Sequence, residues 1–296
     1  MELRQLRYFT TVAEELHFGR AARRLHMTQP PLSQTIMALE DELGAPLFER
    51  NRRGVTLTAA GEALLPEARR LLEQSAALPE LVQRAASGAS GRLALAFVSS
   101  ADYSVLPPSL RAYRAAFPQV AINLKEATSD LQLEELLEGR IDAGLLIPPL
   151  PDKARQDLDY LPVLREPLVL AAPAGMAALK GARSANLRKL AGVPLIIFPR
   201  HISPGLYDAV LSVFRAEGLA PEIGQEAIQM QTIVSLVSAG MGIALVPQSV
   251  SNLRRPGVEY LPLVQKTPLV ETGLAWRRDN ASPVLRGFLE LMRKRV

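Results

Sequence analysis

The first group of residues that could carry chemistry lies between residues 18 and 58. Hydrogen-bonding side chains open one helical segment there, and arginines cluster in the loop that follows. Hydroxyl and amide groups can read the base edges of DNA, while arginines and helix N-termini can meet its phosphates. The candidates for these contacts are Arg23, Gln29, Pro30, Pro31, Ser33, Gln34, Arg52 and Arg53.

A second group consists of polar residues that follow short apolar runs further along the chain. Hydroxyls and backbone N–H groups at the positive ends of helices suit a carboxylate. Any one of these residues alone could be an ordinary helix N-cap, so the hypothesis of a carboxylate site depends on their convergence across two lobes. The polar candidates are Ser99, Ser100, Thr128, Ser129, Ser203 and Gln231.

The first group requires a helix that presents one face and buries the other. Leu32, Ile36 and Leu39 form an apolar stripe at helical spacing, and prolines occupy the first turn, where no intrahelical bond is lost. Thr28 is expected to cap this helix through its hydroxyl. A short helix around Ala21 and Ala22 precedes it, and residues 46–58 read as strand, Arg-rich turn and strand. The pattern predicts a winged helix-turn-helix.

The same stretch is similar to a known family. The run AARRLHMTQPPLSQTIMALEDELGAPLFERNRRGVTLTAAG resembles, without a gap, the DNA-binding domain of LysR-type transcriptional regulators. One position departs from the family pattern, because Gln34 stands where a basic residue often follows the serine. No Lys or Arg occurs from Pro30 to Leu43, so phosphate charge must be met by neighbouring arginines or by the helix N-terminus.

Those arginines also have a structural interpretation. Arg20, Arg24 and Arg50 join Arg23, Arg52 and Arg53 as phosphate candidates. Several of them could instead pair with acidic residues on a solvated surface. The acidic residues considered are Glu40, Asp41, Glu42 and Glu49.

Composition restricts the remaining possibilities. The 296 residues carry a net charge of +4, but residues 1–87 hold eleven Arg and eleven acidic residues, so DNA binding must come from clustered charge. Cysteine is absent, which excludes disulfides and thiol chemistry. The three histidines are far apart in sequence, and we expect no metal and no cofactor. With no secretion signal and no long apolar run, a cytoplasmic protein is expected.

Residues 59–88 predict a long helix with a narrow apolar seam flanked by charge. The spacing of Leu64, Ala68, Leu71, Leu78 and Val82 is that of a heptad repeat, which favours pairing with a second subunit over packing on its own domain. The segment SGASG that follows has the composition of a hinge.

From residue 89 the sequence predicts an α/β effector-binding domain of two Rossmann-like subdomains. Apolar runs alternate with helical segments, as in parallel strands covered on both faces. An internal echo, LDYLPVLREPLV and VEYLPLVQKTPLV, predicts two crossover strands. The expected boundaries are 1–58 for the winged helix-turn-helix, 59–88 for the linker helix, 91–161 with 267–296 for subdomain I, and 162–266 for subdomain II.

This half resembles the periplasmic-binding-protein-like effector domain of the family, in particular its catabolic members. The resemblance implies that Ser99 and Thr128 line an inducer pocket, that the inducer is an aromatic acid or dicarboxylate, and that Pro199, His201 and Ser203 fall in the facing loop. It also implies a homotetramer built from dimers, with promoter DNA as partner and RNA polymerase as a further candidate. An activator of a catabolic operon is favoured, and a repressor stays an alternative because the two differ by promoter geometry, which the sequence does not hold.

The sequence is compatible with two functional classes of protein. A ligand-responsive transcription factor is favoured over a two-lobe solute-binding or enzymatic protein with an appended domain. A solute receptor needs a secretion signal, and the sequence holds no nucleophile elbow and no Gly-rich phosphate loop. We therefore expect no enzymatic activity.

Overall fold

The structure is a computed structural model that describes residues 1–51 and 54–295. The chain divides into two compact units, Met1–Gln83 and Arg84–Val296. No helix in the described part of the chain is long and apolar enough to cross a membrane.

The first unit is a winged helix-turn-helix followed by most of a long helix. Its elements are α1 (Leu3–Glu15), α2 (Phe18–Arg24), α3 (Gln29–Leu43), β1 (Phe48–Asn51), β2 (Gly54–Leu57) and α4 (Ala59–Ser87), which continues past the boundary of the unit. Strands β1 and β2 pair antiparallel from Phe48 opposite Leu57 to Asn51 opposite Gly54. The predicted order of helices and wing is confirmed.

The small core of this unit explains why the helices cross closely. Ala21 and Ala22 of α2 are fully buried, so α2 can approach its neighbours without bulky side chains between them. The ring of Phe48 on the wing packs against Phe9 and Phe18, with centroids 5.4 Å and 5.8 Å apart. The wing is thereby fixed to the helices that it follows.

The predicted hydroxyl cap of α3 is wrong, although the predicted N-cap position is right. Thr28 is the N-cap residue of α3, but its side chain makes no capping hydrogen bond. Pro30 and Pro31 lie in the first turn, as predicted, and Gly44 ends the helix with φ +72°. Helix α4 is capped by Thr58, whose hydroxyl accepts from the Gly61 N–H at 3.0 Å.

The apolar seam of α4 is buried near the start of the helix and exposed in its later turns. Ala68 is fully buried and Leu64 is packed against the core of the first unit, so these two residues belong to their own domain. Leu78, Leu81 and Val82 are 56%, 55% and 62% exposed. The heptad interpretation therefore applies to the later turns of the helix and not to its beginning.

The predicted hinge is shorter and more ordered than expected. Helix α4 continues to Ser87, and strand β3 (Ser90–Phe97) begins three residues later. Gly88, at φ +76°, is buried, and a side chain there would clash with the backbone of Pro283. The connection is a packed turn and not a loose linker.

The second unit continues as α5 (Ser99–Asp102), α6 (Leu106–Ala116), β4 (Gln119–Glu126), α7 (Ser129–Leu137), β5 (Ala143–Leu146), α8 (Asp152–Asp157), β6 (Leu158–Pro173), β7 (Leu195–Ile197), α9 (Pro204–Ala216), β8 (Ile223–Glu226), α10 (Met230–Ser238), β9 (Ala244–Pro247), β10 (Val258–Pro262), β11 (Leu269–Arg277) and α11 (Pro283–Arg293). Short 3-10 helices cover residues 177–179, 187–190 and 248–253.

Strand β6 is the element that joins two lobes. Strand β3 pairs parallel with β4 and β5, whereas β11 runs antiparallel to both β5 and β6. The far end of β6 pairs antiparallel with β9 and β10. One core holds Leu93, Trp276 and Phe288, and another holds Leu170, Phe214 and Val234. The C-terminal segment thus returns to the first lobe, as the echo predicted.

Candidate functional sites

The polar face of α3 is the first candidate site. Leu32, Ile36 and Leu39 are fully buried against the core of the first unit. The opposite face therefore points to solvent, and the predicted base-reading residues lie on it or at its start. Gln29, Pro30, Pro31 and Gln34 are exposed, and Ser33 is half-buried.

The arginines around this helix are not equivalent. Arg24 pairs with Glu14 at 2.9 Å and with Glu15 at 3.2 Å, and Arg20 pairs with Glu15 at 3.3 Å. Arg23 is exposed and forms no ion pair within the described part of the chain. The surface interpretation thus holds for Arg20 and Arg24, although their acidic partners differ from those considered in the sequence.

Two further charged residues near this helix, Arg50 and Glu40, make contacts within the protein. The Arg50 guanidinium carbon lies 4.3 Å from the centroid of the Phe18 ring, a cation–π contact at the base of the wing. Glu40 accepts hydrogen bonds from the backbone N–H groups of Leu47 and Phe48, at 2.7 Å and 3.1 Å. Glu40 therefore holds the start of the wing. The predicted roles of Arg52 and Arg53 lie outside the described residues.

The second candidate site is a cavity between the two lobes of the effector unit. Five of the predicted polar residues line it: Ser99, Ser100, Thr128, Ser129 and Ser203. The other lining residues are Val98, Ala127, Ile147, Phe198, Ile202, Leu206, Ile228, Gln229 and Met230. The structure thus brings together hydroxyls that are up to 104 positions apart in the sequence.

Three helices begin at this cavity. Thr128, Ser203 and Gln229 are the N-cap residues of α7, α9 and α10, and none of the three side chains makes a capping hydrogen bond to its own helix. Helix N-termini carry unsatisfied N–H groups and a partial positive charge. The three ends together favour an anion or another acceptor in the cavity.

The hydroxyls differ in their present partners. Ser99 donates to the Gln229 side-chain oxygen at 2.6 Å, a hydrogen bond that links one lobe to the other. The Ser129 hydroxyl accepts from the Ile147 N–H at 3.1 Å. Ser100 is 3% exposed, and its hydroxyl has no hydrogen-bond partner among the described residues. It is therefore available to a molecule in the cavity.

Buried neighbours hold these residues in place. Gln132 is fully buried, and its amide donates to the carbonyl oxygens of Ala127 and Leu145, at 2.8 Å and 3.1 Å. These bonds fix the loop that carries Thr128. On the other lobe, a side chain at Gly205 would clash with the carbonyl of Pro148, so the first turn of α9 can approach the first lobe closely.

The residues lining the cavity carry no formal charge, since none of those described is Lys, Arg, His, Asp or Glu. A buried carboxylate does lie on the crossover strand β6, away from the cavity lining. Glu166 is 7% exposed, and it accepts from the N–H and the hydroxyl of Ser249, at 2.6 Å and 2.8 Å. Burial raises the pKa of Glu166 above its usual range, and the bonds from Ser249 only partly oppose that shift.

Three predicted residues are not brought into the cavity lining. Gln231 and His201 are exposed, and Pro199 is buried beneath the loop, where its carbonyl accepts from the N–H groups of Ile202 and Ser203. A direct ligand contact from these three is therefore not supported. Gln229, two residues before Gln231, lines the cavity instead. Little in the sequence points to Gln229, because Gln is not a preferred N-cap residue.

Two family models match this chain. Residues 3–62 match the family model of the bacterial regulatory helix-turn-helix proteins, lysR family, and residues 86–296 match that of the LysR substrate binding domain. The chain is 51% identical over 292 residues to the HTH-type transcriptional regulator IlvR of Caulobacter vibrioides, covering 99% of this chain and 97% of IlvR.

A second relative and one solved structure extend this result. The HTH-type transcriptional regulator AlsR of Bacillus subtilis is 44% identical over 291 residues, covering 98% of this chain and 95% of AlsR. The crystal structure of full-length CbnR complexed with its target DNA superposes with a TM-score of 0.83 at 33% identity, covering 100% of this chain and 99% of that chain.

Proposed function

The chain belongs to the LysR family of DNA-binding transcriptional regulators, and we propose that it activates a catabolic operon when a small carboxylate occupies the cavity between its two lobes. The reaction to be controlled is transcription, so the protein acts in the cytoplasm on promoter DNA. As an activator it contacts RNA polymerase. Catalysis is no part of this proposal, since the relatives are regulators.

One observation carries the ligand part of the proposal. Three uncapped helix N-termini and the free hydroxyl of Ser100 face one enclosed space. Hydrogen bonds to an anion are stronger than those between neutral groups, and they strengthen further away from water. A carboxylate would accept from these donors and join the two lobes through one bound group.

We assign the reading of DNA bases to α3, and phosphate contact to arginines of α2 and the wing. Pro31, Ser33 and Gln34 face base edges in the major groove, and Gln29 and Pro30 open the helix beside the backbone. Arg23, Arg52 and Arg53 meet phosphate, and the wing arginines also reach the adjacent minor groove. This division is supported by the exposed face of α3 and by Arg23, which is exposed and pairs with no acidic group among the described residues.

The proposed assembly of subunits depends on α4. Leu71, Leu78, Leu81 and Val82 give the helix an exposed apolar stripe, which a second copy would bury in a homodimer. Effector domains then join two dimers into a homotetramer. Two reading heads per dimer contact half-sites roughly 34 Å apart, or a multiple of that distance. Sedimentation of the intact protein tests this, and a monomer at micromolar concentration would contradict it.

In this scheme, residues 1–58 read DNA, residues 59–88 pair the subunits and residues 89–296 bind the effector. Subdomain I comprises residues 91–161 and 267–296, and subdomain II comprises residues 162–266. Ligand binding draws the lobes together about the crossovers near residues 160 and 260. The coupling to DNA is about 1–3 kcal/mol, because a ligand shifts an equilibrium only by its differential affinity.

The test combines DNA binding with calorimetry on the full-length protein. We expect protection of DNA upstream of its own gene, and heat of binding from a carboxylate. Ser99→Ala and Thr128→Val should each weaken the acid by about one to two orders of magnitude, because a hydroxyl hydrogen bond to an anion is worth about 1.5–3 kcal/mol. Ser99 would exchange its present bond to Gln229 for one to the acid. The affinity of both variants for DNA, measured without acid, should equal that of the parent protein. Unchanged acid affinity in both variants would place the ligand elsewhere.

A further inference from the structure

One hydrogen bond already crosses the cavity between the lobes. The Ser99 hydroxyl, at the start of α5, donates to the side-chain oxygen of Gln229 at 2.6 Å. Gln229 is the N-cap residue of α10, and both residues line the cavity. A hydroxyl has only one proton to donate. The Gln229 oxygen therefore occupies the acceptor position that a carboxylate oxygen would take on Ser99.

The side chain of Gln229 is not needed to hold α10 in place. It makes no capping hydrogen bond to the helix, whereas the backbone carbonyl of Gln229 accepts from the Ile233 N–H at 3.0 Å. Among the described residues, Ser99 is the one hydrogen-bond partner of the side-chain amide. The amide can therefore leave Ser99 without breaking a bond of the helix.

A carboxylate is a stronger acceptor than the amide that it would replace. Hydrogen bonds to an ionised group are roughly twice as strong as those between neutral groups. The exchange on Ser99 is therefore favourable for an acid. The neutral bond must nevertheless be broken first, so the net affinity for the acid is lower than it would be with a free Ser99 hydroxyl.

We propose that Gln229 is an internal competitor for the effector, meaning that its amide oxygen holds Ser99 until a carboxylate displaces it. Gln229 thereby sets the acid concentration at which the regulator responds. This inference rests on the proposed function and adds a regulatory residue to the same site. On binding, a neutral contact between the lobes is replaced by a charged one.

The first test is Gln229→Met in the full-length protein. Methionine is similar in length and fills irregular space, but its sulfur is only a weak acceptor for Ser99. Calorimetry with benzoate and, separately, with cis,cis-muconate measures the affinity for acid. We expect an acid that binds the parent to bind Gln229→Met about three- to tenfold more tightly, because no internal bond has to be broken.

The same substitution in a Ser99→Ala background isolates the pair. Without the Ser99 hydroxyl there is no donor for which the amide and the acid compete. Gln229→Met should then change the affinity for acid by less than about twofold. An effect of methionine on the shape of the cavity would appear equally in both backgrounds, so only competition predicts the difference.

The second test, Gln229→Glu, converts the competitor into a tethered carboxylate. Glutamate has nearly the same shape, and its charge would lie with the N-termini of α7, α9 and α10, where negative charge is favoured. We expect added acid to bind at least about tenfold more weakly than to the parent. Without acid, this variant should give the promoter footprint that the parent gives with saturating acid.

Gln231→Glu is the matched control for that variant. It adds the same charge to the first turn of α10, but on an exposed residue outside the cavity lining. Its affinity for acid should stay within about threefold of the parent, because an exposed charge is screened by solvent. Its footprint without acid should match that of the parent.

The outcomes separate the two proposals. If neither acid binds the parent or Gln229→Met, the carboxylate switch is wrong, and the internal competitor with it. If an acid binds the parent but binds Gln229→Met equally or more weakly, Gln229 is no competitor, while a carboxylate-switched regulator stands. The competitor is equally overturned if Gln229→Met has the same effect without the Ser99 hydroxyl, or if Gln229→Glu behaves like Gln231→Glu.

Discussion

We propose that the exposed face of α3 and the cavity between the lobes each meet an anion, yet their surroundings differ. The first is an exposed helix face bordered by arginines, and the second is an enclosed space whose described lining carries no charged side chain. Exposed arginine remains solvated and can neutralise many phosphates in succession. Burying an arginine would be costly without a permanent partner. Exposure therefore decides whether an anion is met by side-chain charge or by hydroxyls and helix ends.

The largest expected effect comes from adding charge to the neutral site. Ser203→Asp places a carboxylate at the N-cap of α9, where Asp is well tolerated by the helix. Because none of the described lining residues is cationic, repulsion should weaken binding of a small carboxylate by about a hundredfold or more. Calorimetry measures this change.

Ser203→Asn is the matched control, since it has nearly the same shape and is also a good N-cap. Its affinity for the same carboxylate should remain far closer to that of the parent. Equal loss in both variants would show that shape, and not charge, governs the cavity.

On the DNA side, Gln34→Ala should act on sequence and not on overall charge. Loss of a side chain that reads one base pair should reduce discrimination at that position by about 1–3 kcal/mol. Footprint titrations against operators with single base changes measure it. If discrimination falls at every position equally, or at none, Gln34 does not read a base.

The prediction for the arginines uses the contrast between two neighbours on α2. Arg23→Ala and, on the wing, Arg53→Ala should each reduce the salt dependence of DNA binding by about one unit of slope. Arg24→Ala should change the slope less, because Arg24 is paired with Glu14 and Glu15. Titrations at several salt concentrations decide the matter, and equal slopes for Arg23→Ala and the parent would remove Arg23 from the interface.

Much of this organisation could be predicted because it depends on local spacing. The apolar stripe of α3 and the Arg-rich turn after it identify the reading head. Parallel strands place their carboxyl ends at one edge, which is why Ser99 and Thr128 were expected to converge. That reasoning depends on the type of element and not on its exact boundaries.

The errors arose where distant contacts decide the outcome. Gly88 belongs to a hinge by composition, but Pro283 packs against it. Leu64 has heptad spacing, yet it lies against the core of its own unit. The sequence predicts Gln231 and not Gln229 as a cavity residue, because the start of α10 carries no preferred capping residue. The lining of the cavity comes from residues of both lobes, which no local pattern reveals.

The smallest expected effect concerns the buried carboxylate on β6. Burial raises the pKa of Glu166, so the folded state holds its proton to higher pH than the unfolded chain. The stability that this group contributes is complete below the ordinary pKa of glutamate, and it is lost as pH rises through the raised value. Glu166→Gln should flatten that part of the profile of thermal unfolding against pH. Glu259→Gln, an exposed carboxylate, is the control, and identical profiles for the parent and Glu166→Gln would refute the argument.

The central claim is that an acid between the lobes alters how the protein holds DNA. The most direct measurement is calorimetry of the full-length protein, with and without its promoter DNA, using the acid that binds most tightly in a panel of aromatic acids and dicarboxylates. Linkage requires that DNA change the acid affinity by the same factor by which the acid changes DNA affinity. We predict a reciprocal factor of about 5–150, equivalent to 1–3 kcal/mol. Tight binding of the acid with the same affinity in both conditions would contradict the account.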